Sequence, residues 1–306
     1  MPANSYDLEL RGLPKKERQA LQREFARLQR EEERRRQRRN RIIRRTSLIT
    51  IGVALLAVAG LVIANTVRAS LIGPANMASD GVLFTGDGTT VTPSTTAALQ
   101  VGDTPAASSF APSNGVLIVD LYVDYSSADA AQFETTNGST VQGWVTQGYA
   151  TLELHPVALA STDSNSQSMR TANAIACVAN AVPSSVLAVH NALIADQATI
   201  AGAGLSTDEL VALVTKAGVT DAGVSTCITS GEFDNWVVDA TNRAKAALPN
   251  SDVSSLTTSP TVVVDGKVYT GSNSDATAFE AFVTSTYQAA VPQSTATPTP
   301  TPAPTP

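Results

Sequence analysis

The longest uninterrupted apolar stretch of the chain lies between Arg45 and Arg68. Its residues, TSLITIGVALLAVAGLVIANTV, carry no charge. A helix rises about 1.5 Å per residue, so this run spans roughly the hydrocarbon core of a bilayer and predicts a transmembrane helix over 46–67. A cleaved signal peptide is the alternative interpretation. Its apolar core is normally about 7–15 residues long and follows a short leader, whereas residues 1–45 precede this run, which favours an uncleaved anchor.

The next apolar run, GVLIVDLYVDY, begins at Gly115 and predicts a strand covered on both faces. A helical pattern follows it, and YATLELHPV then predicts a second strand that ends at His155 and Pro156. The order strand, helix, strand predicts a parallel pair joined by a right-handed crossover. The inner face of the intervening helix is predicted at Phe133, Val141, Trp144 and Val145.

A mainly helical segment is predicted over 168–248. Its clearest helix begins at Ser206, where Glu209 completes a capping box, and ends at Gly218. Beyond this segment, PTVVVDGKVYTG predicts a hairpin that turns at Asp265 and Gly266, because this dipeptide tolerates the positive φ angles of a tight hairpin turn. A last helix carries Phe279, Phe282 and Val283.

Charge divides the chain at the predicted membrane span. Residues 1–45 carry 15 of the 21 Lys and Arg residues, whereas residues 69–306 carry 20 of the 27 acidic residues. The positive-inside rule then predicts a single-pass protein of the cell membrane, with a cytoplasmic N-terminus and an extracytoplasmic C-terminal domain. Anionic lipid headgroups account for the basic arm, so we expect the bilayer rather than nucleic acid as its partner.

These patterns divide the chain into five parts. Residues 1–45 form a basic arm, predicted helical, and 46–67 form the transmembrane helix. Residues 68–114 are a linker with a lead-in hairpin, and 115–288 are one folded domain. Residues 289–306 alternate Pro with Thr and Ala, a composition that predicts a disordered tail.

The element order within 115–288 is that of an α/β thioredoxin-like fold with a helical insertion. The segment VDLYVDYSSADAAQFE resembles the active-site segment of DsbA-like thiol-disulfide oxidoreductases, in which a strand is followed by Cys-Pro-x-Cys and then by Phe-Glu. Three later segments, AIACVANAV, CITSGEFDNWV and SPTVVVDG, resemble further family segments in the same order. The resemblance is greatest to the membrane-anchored DsbA-like proteins of actinobacteria.

The resemblance also shows a departure at the active site. With Asp124 and Phe133 placed on the family pattern, Ser127 and Ala130 stand at the two cysteines, Ala128 stands at the proline and Asp129 lies between them. Disulfide exchange needs a thiolate nucleophile and a second thiol that resolves the mixed disulfide. The segment therefore predicts a redox-inactive junction, in which Ser127 caps a helix and Asp129 places negative charge in its first turn.

Two further features follow from the resemblance. Cys177 and Cys227 match cysteines that form a structural disulfide in related actinobacterial proteins, although a regulatory or catalytic pair remains the alternative. Ser259 and Pro260 match a Thr-Pro pair whose peptide bond is cis and whose backbone pairs with extended substrate. We therefore expect a cis bond and a peptide-binding face at this position.

Other chemistries have weaker support in the sequence. Ser127 as a nucleophile with His155 as its base is disfavoured, because no motif places an acid beside either His155 or His190. We predict neither a metal site nor a cofactor. The leading hypothesis is a membrane-tethered module that binds unfolded polypeptide or scaffolds an envelope partner. The alternative is a thiol-disulfide oxidoreductase or isomerase of the cell envelope, and a structural envelope component is compatible with the first.

Overall fold

The computed structural model describes residues 73–108 and 115–290. The predicted basic arm and transmembrane helix lie outside the described residues, as does nearly all of the predicted tail. Across the described ranges, every helix is too short or too polar to cross a bilayer. The last helix continues to Ala290, two residues beyond the predicted domain boundary at 288.

The described strands form one six-stranded sheet in the order β2-β1-β4-β3-β5-β6. β3 and β4 pair in parallel, as the sequence predicts, and every other described pair is antiparallel. The strand bounds are β1 Val82–Gly86, β2 Val91–Pro93, β3 Leu117–Val123, β4 Ala150–Pro156, β5 Thr261–Val264 and β6 Lys267–Val268.

Helices cover the sheet and fill the long insertion between β4 and β5. Their bounds are α1 Ala128–Phe133, α2 Ser139–Thr146, α3 Gln167–Ala181, α4 Val186–Ala195, α5 Gln197–Ala201, α6 Thr207–Lys216, α7 Ala222–Ser230, α8 Asp234–Ala246 and α9 Ala276–Ala290. A π-helical segment, Glu134–Gly138, joins α1 to α2, where the sequence pattern predicts one continuous helix. Gly138 leaves room for the Glu134 carboxylate, whose Oε2 lies 2.5 Å from where a Cβ would stand.

The two hairpins frame the parallel pair. Within the segment that precedes β3, β1 pairs with β2 and also lies along β4. At the other edge, β5 and β6 turn through Asp265 and Gly266, whose φ angles of 44° and 80° are those that the dipeptide predicts. β6 has only two residues and is much shorter than the apolar run suggests.

Alternation along β3 gives the sheet two different faces. Val119 and Leu121 point to the main core, where Phe133 and Val141 pack against them. Tyr122 belongs instead to a smaller cluster on the second face, with Val157, Ala244, Leu248 and Leu256. The predicted burial of β3 on both faces is therefore correct. The second face also carries polar side chains, which the apolar run in the sequence does not indicate.

The insertion is fixed internally by capping and by a disulfide. Ser206 caps α6 in the predicted capping box, in which its hydroxyl accepts the Glu209 N–H and its own N–H donates to the Glu209 carboxylate. Cys177 of α3 and Cys227 of α7 form the predicted disulfide. The two residues are 1% and 5% exposed, so the bond is buried between these helices.

Candidate functional site

Asp124 organises the junction that follows β3. It is buried, and its N–H donates to the Ser259 hydroxyl at 2.7 Å. Its carboxylate accepts the Ser126 N–H at 2.9 Å, the Ser126 hydroxyl at 2.7 Å and the Ala160 N–H at 2.9 Å. Through its backbone N–H and its carboxylate, one residue thus connects the end of β3, the loop after β4 and the segment that leads into β5.

Ser127 has the capping role that the sequence predicts. Its backbone is extended, and its hydroxyl accepts the Ala130 N–H at 3.2 Å, which satisfies a free donor of the first turn of α1. The same hydroxyl donates to the Ser259 carbonyl at 2.5 Å. We call this pair of residues, 132 positions apart, the serine clasp.

The other residues at and beside the replaced Cys-Pro-x-Cys positions differ in their exposure. Ala128 and Asp129 are exposed, whereas Ala130 is fully buried against the core. Ser259 and Pro260 are half-buried, and the bond between them is cis, as the resemblance implies. We refer to Ser127, Ala128, Asp129, Ser259 and Pro260 together as the Pro260 face.

The structure does not bring His155 to Ser127. His155 ends up on the second face of the sheet, where its ring stacks on Tyr122 with a centroid separation of 4.2 Å. The hydrogen-bond partners that the structure gives the Ser127 hydroxyl are a carbonyl and an amide, and neither of these is a general base. A serine nucleophile activated by His155 is therefore inconsistent with this geometry.

A second buried network lies directly behind the junction. The Tyr125 hydroxyl is 2.9 Å from His190 Nδ1, and His190 Nε2 is 3.1 Å from the Glu134 carboxylate. Because the carboxylate accepts, Nε2 carries a proton, and in the neutral imidazole Nδ1 accepts from the tyrosine. Burial, and to a lesser degree Glu134, raises the pKa of Tyr125 well above its usual value.

Sequence reasoning missed the acid of this network. Glu134 belongs to the family-like Phe-Glu pair, but the assumption of a regular helix does not direct it towards His190. The π-helical segment that begins at Glu134 accompanies this contact. His190 is 1% exposed and packed.

The second face of the sheet contains a cavity of about 270 Å³. The parallel register places Asp120 opposite Glu153 and Tyr122 opposite His155, so all four side chains share this face. No motif spacing marks the resulting cluster, and the prediction of no metal site overlooks it. The described residues that line the cavity are Ser79, Ala107, Ser108, Ile118, Asp120, Tyr122, Glu153, His155, Pro249, Asn250 and Asp265.

Asp120, Glu153 and His155 can each offer one ligand atom, and these atoms all lie within 4.8 Å of one another. Glu153 and His155 are 4% and 5% exposed. Burial raises the pKa of Asp120 to about 6, an effect that His155 partly opposes and Glu153 and Asp265 reinforce. Two carboxylates and an imidazole form a donor set that suits a divalent transition metal.

The Tyr125 network should contribute measurably to stability. In a Tyr125→Phe variant, His190 loses a buried partner, so we expect the free energy of unfolding to fall by about 1–2 kcal/mol. Urea unfolding followed by tryptophan fluorescence measures the change. Tyr149→Phe is the matched control, because Tyr149 is 64% exposed and its change should stay within about 0.5 kcal/mol. Equal stabilities of the two variants would contradict the assigned role.

Asp120 should make the folded state less stable as pH rises. Its folded pKa of about 6 exceeds the ordinary value of 3.8, so the folded state binds more protons than the unfolded state between these values. Stability from this group is therefore complete below about pH 4 and is lost as pH rises through 6. With a chelator present, Asp120→Asn should raise the free energy of unfolding at pH 7 by on the order of 1–2 kcal/mol.

Denaturant titrations between pH 4 and 8 test this expectation. The control is Asp163→Asn, since Asp163 is exposed and its removal should leave the pH profile of the wild type intact. An Asp120→Asn profile that parallels the wild-type profile would show that Asp120 does not cause the pH dependence.

The chain is similar to several known proteins. The model of the thioredoxin family, described as "Thioredoxin", matches residues 113–284. Among solved structures, the reduced disulfide-bond oxidoreductase DsbG of Mycobacterium tuberculosis is 24% identical, with 69% of this chain and 92% of that chain covered and a TM-score of 0.49. Reduced DsbA of the same organism is 22% identical, with coverages of 67% and 98% and a TM-score of 0.46. Oxidised BdbD of Bacillus subtilis is 14% identical, with coverages of 71% and 96% and a TM-score of 0.49.

The comparison with curated proteins finds no significant match. The family match covers more than half of the chain and spans the whole described sheet from β3 onward together with its helical insertion. The predicted α/β thioredoxin-like fold with a helical insertion is confirmed, and the chain belongs to the thioredoxin family.

Proposed function

We propose that the chain is a membrane-tethered, extracytoplasmic DsbA-like module that is redox-inactive and binds extended or unfolded polypeptide, or scaffolds a partner in the envelope. The observation that carries this proposal is the serine clasp. A hydroxyl occupies the N-cap of α1, where the resemblance places a reactive thiol, and it is engaged by the Ser259 carbonyl.

The positions of the two cysteines support redox inactivity. Thiol-disulfide exchange requires an attacking thiolate to reach a disulfide sulfur along an accessible path. Cys177 and Cys227 are the two cysteines of the sequence, and both are buried in the insertion. The Pro260 face therefore has no sulfur of its own to exchange.

The geometry of the Pro260 face supports polypeptide binding. Its exposed and half-buried residues lie beside the start of β5, and the resemblance implies that extended polypeptide pairs with the backbone here. Main-chain pairing gives affinity without a defined side-chain sequence, which suits an unfolded ligand. A shallow depression of about 360 Å³ adjoins Ser126 and is lined by Gln167, Ser168 and residues 200–204, which adds polar groups to the same side.

The membrane tether and its orientation rest on the sequence alone. The uncharged run at 46–67 and the basic arm before it favour a single anchor with the folded domain outside the cytoplasm. An unfolded polypeptide at the outer surface of the membrane is then the natural ligand.

A second candidate is a thiol-disulfide oxidoreductase or isomerase of the envelope that uses Cys177 and Cys227. It is favoured by membership of the thioredoxin family, and the similar proteins include DsbG of M. tuberculosis, a disulfide-bond oxidoreductase. It requires this disulfide to open under mild conditions, although both residues are buried.

Redox assays of the full-length protein in detergent separate these candidates. We expect the wild type not to oxidise a reduced dithiol peptide. We also expect the wild type to contain no free thiols before or after denaturation, including after incubation with millimolar glutathione. A double variant, Ser127→Cys with Ala130→Cys, should gain activity, because the first thiol would stand at a helix N-terminus with a resolving thiol one turn later.

The matched control is Ser206→Cys with Glu209→Cys. It puts the same spacing at the N-terminus of α6, away from the Pro260 face, and should oxidise the peptide more slowly. Turnover by the wild type that disappears in Cys177→Ser or Cys227→Ser would make the oxidoreductase the correct assignment.

Binding of a permanently unfolded polypeptide, such as reduced and carboxymethylated lactalbumin, tests the proposed ligand class. Ala128→Trp adds bulk to an exposed position of the Pro260 face and should weaken binding about tenfold or more, as should Pro260→Ala. Fluorescence anisotropy of the labelled polypeptide measures the affinity.

Two controls correspond to these variants. Ala222→Trp changes the exposed first residue of α7, and Pro183→Ala changes a proline beyond the far end of α3, so both should bind like the wild type. Binding that is unaffected by both Ala128→Trp and Pro260→Ala would exclude the Pro260 face as the binding surface.

A further inference from the structure

Three carboxylates and one histidine line the cavity on the second face of the sheet. Asp120, Glu153 and Asp265 all reach it, and none of its described lining residues is Lys or Arg. Buried carboxylates are normally paired with a cation or bound to a metal, because charge without a partner is costly away from water. The volume of about 270 Å³ is room for an ion with several water molecules.

The contacts of Glu153 leave one of its oxygens directed at the cluster. Oε1 accepts hydrogen bonds from the hydroxyls of Ser79 and of Ser108, the latter at 3.1 Å. Oε2 lies 3.9 Å from His155 Nε2. The carboxylate is therefore oriented from one side by two hydroxyls, as metal-binding carboxylates commonly are.

The other two residues of the cluster, Asp120 and His155, have atoms that remain available to bind an ion. Within 73–108 and 115–290, no hydrogen bond or ion pair engages the Asp120 carboxylate. His155 Nδ1 is buried without a hydrogen-bond partner. The other ring nitrogen, Nε2, lies 3.9 Å from Glu153 Oε2 and faces the cluster, and no hydrogen bond between described residues competes for it.

Gly81 shows how tightly this histidine is placed. A Cβ at position 81 would lie 2.6 Å from His155 Cε1 and 2.9 Å from Glu153 Cγ. Any side chain there would displace both residues. Gly81, directly before β1, therefore allows the imidazole and the carboxylate to lie side by side. Stacking on Tyr122 fixes the ring from its face.

We infer that Asp120, Glu153 and His155 form a binding site for a divalent transition-metal ion of the Zn²⁺ type. The donor set distinguishes it from a calcium site, since Ca²⁺ takes oxygen ligands whereas imidazole is a preferred ligand of Zn²⁺. Bonds of about 2.0–2.2 Å require the three ligand atoms to move together slightly from their present separations. Three protein ligands leave a fourth position for water or for a group of a bound molecule.

Zinc titration of the full-length protein, purified with a chelator and then freed of it, tests this site. The wild type should bind one equivalent of Zn²⁺, and Asp120→Asn and His155→Gln should each weaken binding at least about tenfold. Asp120→Asn breaks no hydrogen bond between described residues, so its fold should remain intact, which circular dichroism verifies. Cobalt replacement gives a second readout, because visible absorption reports the coordination geometry.

Two variants serve as controls. His190→Gln removes the other histidine of the chain, and Glu280→Gln removes an exposed carboxylate of α9. Both should bind Zn²⁺ like the wild type. The inference is overturned if the wild type binds no Zn²⁺, if Asp120→Asn and His155→Gln retain wild-type affinity, or if Ca²⁺ binds in place of Zn²⁺ independently of His155.

Discussion

The register of β3 against β4 is the constraint on which both the junction after β3 and the acidic cavity depend. Because the strands run in parallel, their ends meet at one edge of the sheet, where the Asp124 carboxylate connects them. The same register sets Asp120 beside Glu153 on the second face. A slip of one residue would exchange the faces of a strand and drive these carboxylates into the apolar core. A single strand pairing therefore builds the junction at the sheet edge and the acidic cavity beneath it.

The fold separates the disulfide from the Pro260 face. The disulfide fixes α3 against α7 within the insertion, whereas the serine clasp joins the start of α1 to the segment before β5. The junction is stabilised by helix capping, which needs a side-chain oxygen and no redox chemistry. In a redox-active relative, the N-terminus of this helix would favour a thiolate. In this chain the N-cap position holds the hydroxyl oxygen of Ser127.

The sequence was sufficient for features that depend on local pattern. Alternation and β-branched content located β3 and β4, the dipeptide at 265–266 located the last hairpin, and Ser206 located a helix start. The sequence was insufficient for clusters formed by segments that are distant along the chain. Glu134 reaches His190 beside a π-helical segment, and Asp120 joins His155 only once the strand register is known. Since an isolated acid within an apolar run carries no periodic signal, neither cluster could be found from spacing alone.

The N-cap position of Ser127 also has a genetic consequence. Most serine codons lie one base from a cysteine codon, so a single mutation can place a thiol at the positive end of α1, where the helix dipole favours the thiolate. Residue 130 would still be a buried alanine and could not release a captured partner. A mixed disulfide formed there would last until an external thiol cleaved it. One serine-to-cysteine substitution would thus turn the chain into a covalent trap, whereas an oxidoreductase requires a second, independent substitution.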